Sequence, residues 1–371
     1  GVIGINGGLF LYVENEGQFA SVLAHELAHL SQRHFARNVL YSKDNNLASV
    51  LVMVSAMAAA VATNNPNAFM AGPAFLQQQS LRYSRLFERE ADRVGFNNLI
   101  NAQYDPSSMG EMFEQMAKMR RLAGDNIPEF LLTHPISSSR VADAFNAADQ
   151  VESQYSKKDS LDYQLIRGRL RIKYEEIPLN AIRKIQGIIK DDPSNENRYA
   201  LAVAYKRGNK YQDSLDMIDD LINEHPKNLI LQNTKAEILL DKGDAEEALK
   251  IVNNALNISP KNFPLSVLKA KILSYKKELF AAEEIIRDQL LRRNTDPYLW
   301  LYLSEIQRDS KNVVGYHRSR AEYFLLLGQY EDALNQLQFA LKLTENNFQI
   351  SESIMTKINT TRKIIEGTRG Q

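Results

Sequence analysis

The densest chemistry in this chain lies in five consecutive residues, His25-Glu26-Leu27-Ala28-His29. On a helix, positions 25 and 29 are one turn apart and project from the same face. Two imidazoles at that spacing can each place a nitrogen about 2.0–2.1 Å from one zinc ion. Glu26 then stands beside the metal without ligating it, where a carboxylate can take a proton from a water held there. The surrounding residues, Val22, Leu23, Ala24, Leu27, Ala28 and Leu30, are apolar or small, as in a core helix. Two unrelated helical histidines are the bland alternative. Buried histidine and glutamate need compensation, however, and a metal supplies it.

A catalytic zinc site needs a third protein ligand and an open position. A histidine six residues after His29, with glycine between, is one known arrangement, but position 35 is Phe35 and position 32 is Gln32. His34 lies five residues after His29, on the wrong helical face, and reads as a structural or supporting residue. The run Glu88-Arg89-Glu90-Ala91-Asp92 is the better source. Glu88 and Asp92 share one helical face. Glu88 would ligate the metal, and Asp92 would accept the free ring N–H of a ligating histidine and fix its tautomer. Glu90 is turned away, toward solvent or a salt bridge. Taken alone, the run is equally a charged solvent face.

These residues need helices to hold them. The pattern predicts a short strand over Gly8–Val13, β-prone after a Gly-Gly pair. It then predicts helices from about Glu16 to Val39, over Leu81–Asn101, and after Asp105-Pro106, where Ser107 or Ser108 can cap. Met109, Met112, Met116 and Met119 follow helical spacing and read as core rather than as a ligand surface. Leu47–Thr63 is the longest uncharged apolar run. It is short of the roughly 20 residues of a membrane span, and reads as a buried helix, a membrane-surface hairpin or a marginal span.

Further along, the chain changes character across the polar stretch 153–162. Beyond it small or apolar residues recur at Ala181, Ser214, Ala248, Ala282 and Ala333, and prolines at Pro193, Pro226 and Pro260. The step is 33 or 34 residues except for a last one of 51, which suggests an extra helix near residues 298–310. Helix, glycine turn, helix and proline with this period is the signature of the tetratricopeptide repeat, whose stacked hairpins present a protein-binding surface. The organisation expected is therefore mainly α: a zincin-like helical metalloprotease domain with a short β element over 1–152, a linker over 153–162, and a tetratricopeptide α-solenoid over 163–371.

Composition agrees with this division. The 371 residues hold 45 basic and 45 acidic side chains and no cysteine. That length suits two or three domains. Without cysteine there is no thiol nucleophile and no Cys-ligated metal. Through Tyr155 there are 11 basic and 15 acidic residues, and beyond it 34 and 30, so neither part has the basic surface that nucleic-acid binding requires. The start, Gly1-Val2-Ile3-Gly4, reads as that of a mature or shortened chain without a signal peptide.

The order His-Glu-x-x-His, apolar insert, Glu-x-x-x-Asp resembles the gluzincin metallopeptidases typified by the HtpX heat-shock protease and the prenyl-protein CAAX protease. With carboxy-terminal repeats, the resemblance narrows to the β-barrel assembly-enhancing proteases of the Gram-negative periplasm. It implies a zinc endopeptidase holding one Zn2+ per chain and acting in the periplasm on unfolded or misassembled proteins. Its repeats would bind β-barrel clients or the outer-membrane assembly machinery. It also implies a role for Thr133-His134-Pro135 and Arg140, which match the His-Pro…Arg segment of that group. His134 would be a fourth zinc ligand holding the enzyme latent, and Arg140 would position the active-site loop or stabilise the oxyanion. The strand could align substrate by β-addition. Two other readings stay open: a chaperone or scaffold with a latent peptidase, and an integral-membrane protease using Leu47–Thr63.

Overall fold

The computed structural model describes residues 5, 7–38, 40, 85–122, 134–151, 158–344 and 347–369. Among them all regular structure is helical. They fall into two compact units, Gly1–Tyr174 and Glu175–Gln371. Leu47–Thr63 and Thr133 lie outside the described residues. No described helix is long and apolar enough to cross a membrane.

The first unit comprises α1 (Leu9–Tyr12), α2 (Glu16–Ser31), α3 (34–38), α4 (85–101), α5 (Ser107–Leu122), α6 (Ser138–Asp149) and α7 (Leu161–Lys173). The strand expected at Gly8–Val13 is instead the single turn α1. The Leu11 and Tyr12 N–H groups donate to Gly8 O and the Val13 N–H to Leu9 O, so the donors a β-ladder would need are used locally. Its side chains anchor rather than pair: Phe10 lies against Phe19, ring centroids 4.2 Å apart.

The helix expected over Glu16–Val39 is also interrupted. Asn15 caps α2, its Oδ1 accepting from the Gln18 N–H. The helix ends before Arg33, which adopts a left-handed φ of 53°, and α3 starts at His34. The capping of α5 differs too. Asp105 Oδ1, not a serine, accepts the Ser107 N–H. Met109, Met112 and Met116 are buried in the core between α2, α5 and α6, as their spacing implied.

Helix α7 was expected to open the repeats, but it packs with the first unit. Tyr163 is buried in that core with its ring 5.9 Å from both Phe10 and Phe19. Arg167 donates to Phe10 O and Glu14 O. The division of the chain therefore falls after Tyr174 rather than at residue 163.

The second unit is a succession of helices: α8 (Pro178–Ile188), α9 (Asn195–Arg207), α10 (Tyr211–Glu224), α11 (Leu229–Lys242), α12 (Ala245–Ile258), α13 (Phe263–Tyr275), α14 (Leu279–Arg292), α15 (Pro297–Asp309), α16 (Val313–Leu326), α17 (Tyr330–Lys342) and α18 (Phe348–Arg369). Each packs on the next. This is the tetratricopeptide architecture. Ala181, Ser214, Ala248, Ala282 and Ala333 are buried where neighbouring helices approach, and larger side chains would force them apart. The hairpin turns carry the repeat more faithfully than the small residues do. Positive φ occurs at Asn209, Gly243, Lys277 and Lys311, a step of 34 each time, and then at Gly328, a half-step of 17. The helix expected at 298–310 is α15, an in-register first helix of a hairpin. Its partner α16 carries Tyr316 where the alanine pattern would continue, which hides that unit in the sequence. The additional half-unit is the next helix, α17.

Candidate metal centre

Three elements converge on the site. Helix α2 supplies His25, Glu26 and His29, α4 supplies Glu88, Glu90 and Asp92, and α6 with the segment leading into it supplies Arg140 and His134. Helix α4 can reach α2 because position 95 is glycine. A Cβ there would stand 3.1 Å from the His25 backbone N and Cα, so the helix would have to move away. Helix α6 is capped by Ser137, whose Oγ accepts the Arg140 N–H.

The structure brings all seven site residues inferred from sequence into one cluster. His25, His29, Glu88 and His134 each offer one ligand atom, all within 4.8 Å of one another. His25 Nε2 is 3.0 Å from His29 Nε2, 3.5 Å from Glu88 Oε2 and 3.4 Å from His134 Nδ1. Glu88 Oε1 is 3.4 Å from His29 Nε2 and 3.1 Å from His134 Nδ1. Four donors bound tetrahedrally at zinc distances of about 2.0–2.1 Å would stand about 3.3 Å apart. The nitrogen and oxygen donor set and its spacing therefore fit a tetrahedral zinc ion. On the far side, His134 Nε2 lies 3.4 Å from Glu26 Oε1.

A buried frame surrounds these groups. Asp92 Oδ1 lies 3.1 Å from His25 Nδ1. Arg140, 6% exposed, donates from Nε to Asp92 Oδ2 and from Nη2 to Asp92 Oδ1, both at 2.7 Å. Its Nη1 is 3.0 Å from Glu88 Oε2 and donates to Pro135 O at 3.0 Å. One guanidinium thus ties Glu88 and Asp92 of α4 to the loop bearing His134. With every guanidinium nitrogen engaged, positioning suits Arg140 better than oxyanion stabilisation.

Burial alone would lower the His25 pKa, but Asp92 and Glu88 outweigh it and push it up to about 9. Burial likewise acts to raise Glu88, while His134, His25 and His29 hold it well below the usual carboxylate range. Asp92 is held low against its burial by His25 and Arg140.

Two residues near the centre have more definite places than their spacing suggested. His34 is buried, and its Nδ1 lies 3.0 Å from His29 Nδ1. Its Nε2 lies 3.2 Å from Glu90 Oε2, and Arg37 Nη1 donates to the same oxygen at 2.9 Å. Glu90 is therefore paired, and the break at Arg33 is what turns His34 back onto His29. The positive φ of an arginine leaves no mark in a helical-periodicity pattern; the mid-helix histidine followed by an arginine three residues later was the available hint.

Residues 1–148 match the model of peptidase family M48. Over 241 residues the chain is 31% identical to the putative beta-barrel assembly-enhancing protease of Vibrio cholerae, covering 62% of this chain and 48% of that protein. It is 27% identical over 352 residues to the beta-barrel assembly-enhancing protease of Escherichia coli, covering 92% of this chain and 70% of that one. The mitochondrial metalloendopeptidase OMA1 of Saccharomyces cerevisiae is 29% identical over 148 residues, covering 39% of this chain and 40% of its own. The chain spans about half the length of the first of these relatives.

Proposed function

We propose that this chain, whose residues 1–148 match the model of peptidase family M48, is a zinc-dependent endopeptidase holding one Zn2+ between His25, His29 and Glu88. The observation that carries the reading is the set of ligand atoms at tetrahedral spacing with the Glu26 carboxylate beside it. When bound there, zinc supplies Lewis-acid polarisation of a carbonyl and a lowered pKa for water. The Asp92 carboxylate 3.1 Å from His25 Nδ1 favours the tautomer that keeps its proton on Nδ1, which leaves the Nε2 lone pair for the metal. Glu26 accepts a proton from the attacking water at a carboxylate oxygen and delivers it to the leaving amine nitrogen. Arg140 pairs with both Asp92 and Glu88, helps hold Asp92 ionised, and fixes the loop at Pro135.

His134 gives the site a latent form. Its Nδ1, 3.1 Å from Glu88 Oε1, would hold the zinc as a fourth ligand where a catalytic site keeps an open position, and its Nε2 faces the proton-accepting Glu26. Substrate entry then requires the His134 loop to withdraw.

The relatives are named as proteases that enhance β-barrel assembly, and with that support we place this chain in the bacterial periplasm, acting on unfolded or misassembled outer-membrane β-barrel proteins. The repeat helices would bind those clients or the assembly machinery. The latent geometry favours a second reading as well, in which the repeats act as chaperone or scaffold and cleavage occurs only when a client displaces His134.

Glu26→Gln should keep zinc and abolish cleavage of an unfolded protein such as casein, and retained cleavage would refute the assignment. His134→Ala should raise that activity. Unchanged or lower activity would remove the latch.

A further inference from the structure

Behind His29, on the side away from the proposed zinc, Glu90, His34 and Arg37 form a chain of contacts that the proposed reaction does not use. His34 Nδ1 is 3.0 Å from His29 Nδ1, His34 Nε2 is 3.2 Å from Glu90 Oε2, and Arg37 Nη1 is 2.9 Å from the same oxygen. The His34 ring is stacked on Phe87, centroids 4.5 Å apart and planes 21° apart, and the Arg37 guanidinium lies 4.8 Å from the Phe87 ring centroid. His34 is 4% exposed, so water has little access to the bond.

With His29 Nε2 given to a metal, only one arrangement of protons satisfies every atom in this chain. A neutral His29 that gives its Nε2 lone pair to a metal carries its proton on Nδ1. That N–H needs an acceptor, and the atom facing it is His34 Nδ1. His34 must then carry its proton on Nε2, and the atom facing that N–H is a carboxylate oxygen of Glu90. Arg37 holds the carboxylate in place. Asp92 stands in the equivalent position behind His25.

We infer that His34, oriented by Glu90 and Arg37, is the positioning residue that fixes the tautomer of His29 and thereby raises the affinity of the site for zinc. The two histidine ligands then receive different support: a direct carboxylate for His25, and a carboxylate acting through an imidazole for His29. The inference rests on the zinc reading above.

The test separates an acceptor from a merely packed ring. His34→Asn keeps an acceptor oxygen near the place of Nδ1. His34→Phe keeps a ring on Phe87 and removes the acceptor. Zinc affinity of the full chain is measured by chelator competition, with the melting temperature of the metal-free protein taken alongside. His34→Phe should weaken zinc about 10- to 100-fold, the usual cost of losing such a partner. His34→Asn should stay within about threefold of wild type. Zinc binding by His34→Phe within threefold of wild type would overturn the inference, as would equal weakening in both variants. Should His34→Phe fail to fold, 15N NMR of the zinc-loaded wild-type imidazoles decides. A proton on Nδ1 of His29 and on Nε2 of His34 supports the assignment, and a proton on His34 Nδ1 overturns it. A wild-type chain that binds no zinc would instead bring down the functional reading itself.

Discussion

The two units of this chain solve opposite packing problems. Around His25 the first unit gathers three histidines, two carboxylates and a guanidinium within a few ångströms, with His25, Glu88 and Arg140 buried and the others half-buried. In the repeat unit Ala248, Ala282, Ala333 and Ser214 are fully buried on the helix seams, and the Ser214 hydroxyl donates to Ala202 O at 2.7 Å. Buried charge is tolerated only when every partner is present, whereas small apolar contacts are nearly independent of one another. The first unit has placed its energy in a specific, cation-ready site. The second has spread it along a repeated seam, where each hairpin depends mainly on its neighbours.

That contrast makes ordered predictions. The largest effect should come from Arg140→Ala, which strands Asp92 and Glu88 without their shared cation. Losing one partner of a buried ion network costs about 3–5 kcal/mol. The unfolding transition of the first unit should drop and that of the repeat unit should stay; a uniform drop in both would dissolve the contrast. Next, Ala248→Leu overpacks the repeat seam and should cost about 1–3 kcal/mol there. Zinc content should not change.

Proton linkage gives a third effect, confined to the first unit. The His25 pKa of about 9 lies above its unfolded value near 6.5, so its stabilisation of the metal-free fold is complete below pH 6.5. It is lost as pH rises through about 9. Zinc needs the neutral imidazole, so binding at pH 7 should release a proton, and affinity should fall as pH is lowered from 9. Calorimetry in buffers of differing ionisation enthalpy counts that proton, and a count of zero would contradict the assignment of His25 as a ligand. The smallest effect is at a repeat turn. Gly243→Ala places a side chain at φ 96° and should cost about 1 kcal/mol, read as a small fall in the repeat unit's melting temperature.

The sequence disclosed the site better than the scaffold that carries it. His25, Glu26 and His29 were legible because one turn of helix fixes their relation, and Glu88 and Asp92 because the same rule applies to α4. The cluster with His134 and Arg140 was accessible through family resemblance alone, since no local rule links residue 134 to residue 25. The misreadings were all places where tertiary packing overrode local preference. The β-prone residues Leu9–Tyr12 became a helical turn because Phe10 found Phe19 and Tyr163 in the core. Helix α7 joined the first unit because Tyr163 is buried there. His34 was set on the wrong face by assuming an unbroken helix, and a left-handed arginine, which no pattern announces, returned it to His29. In the repeats, Tyr316 hid a unit that the turn positions mark plainly.

The centre of the account is that His25, His29 and Glu88 hold a zinc ion. Elemental analysis of the purified full chain, wild type beside His25→Ala, tests this most directly. The account predicts one zinc per wild-type chain and almost none in the variant, with the repeat unit folded in both. A wild-type chain without zinc, or a His25→Ala chain that keeps it, would contradict it.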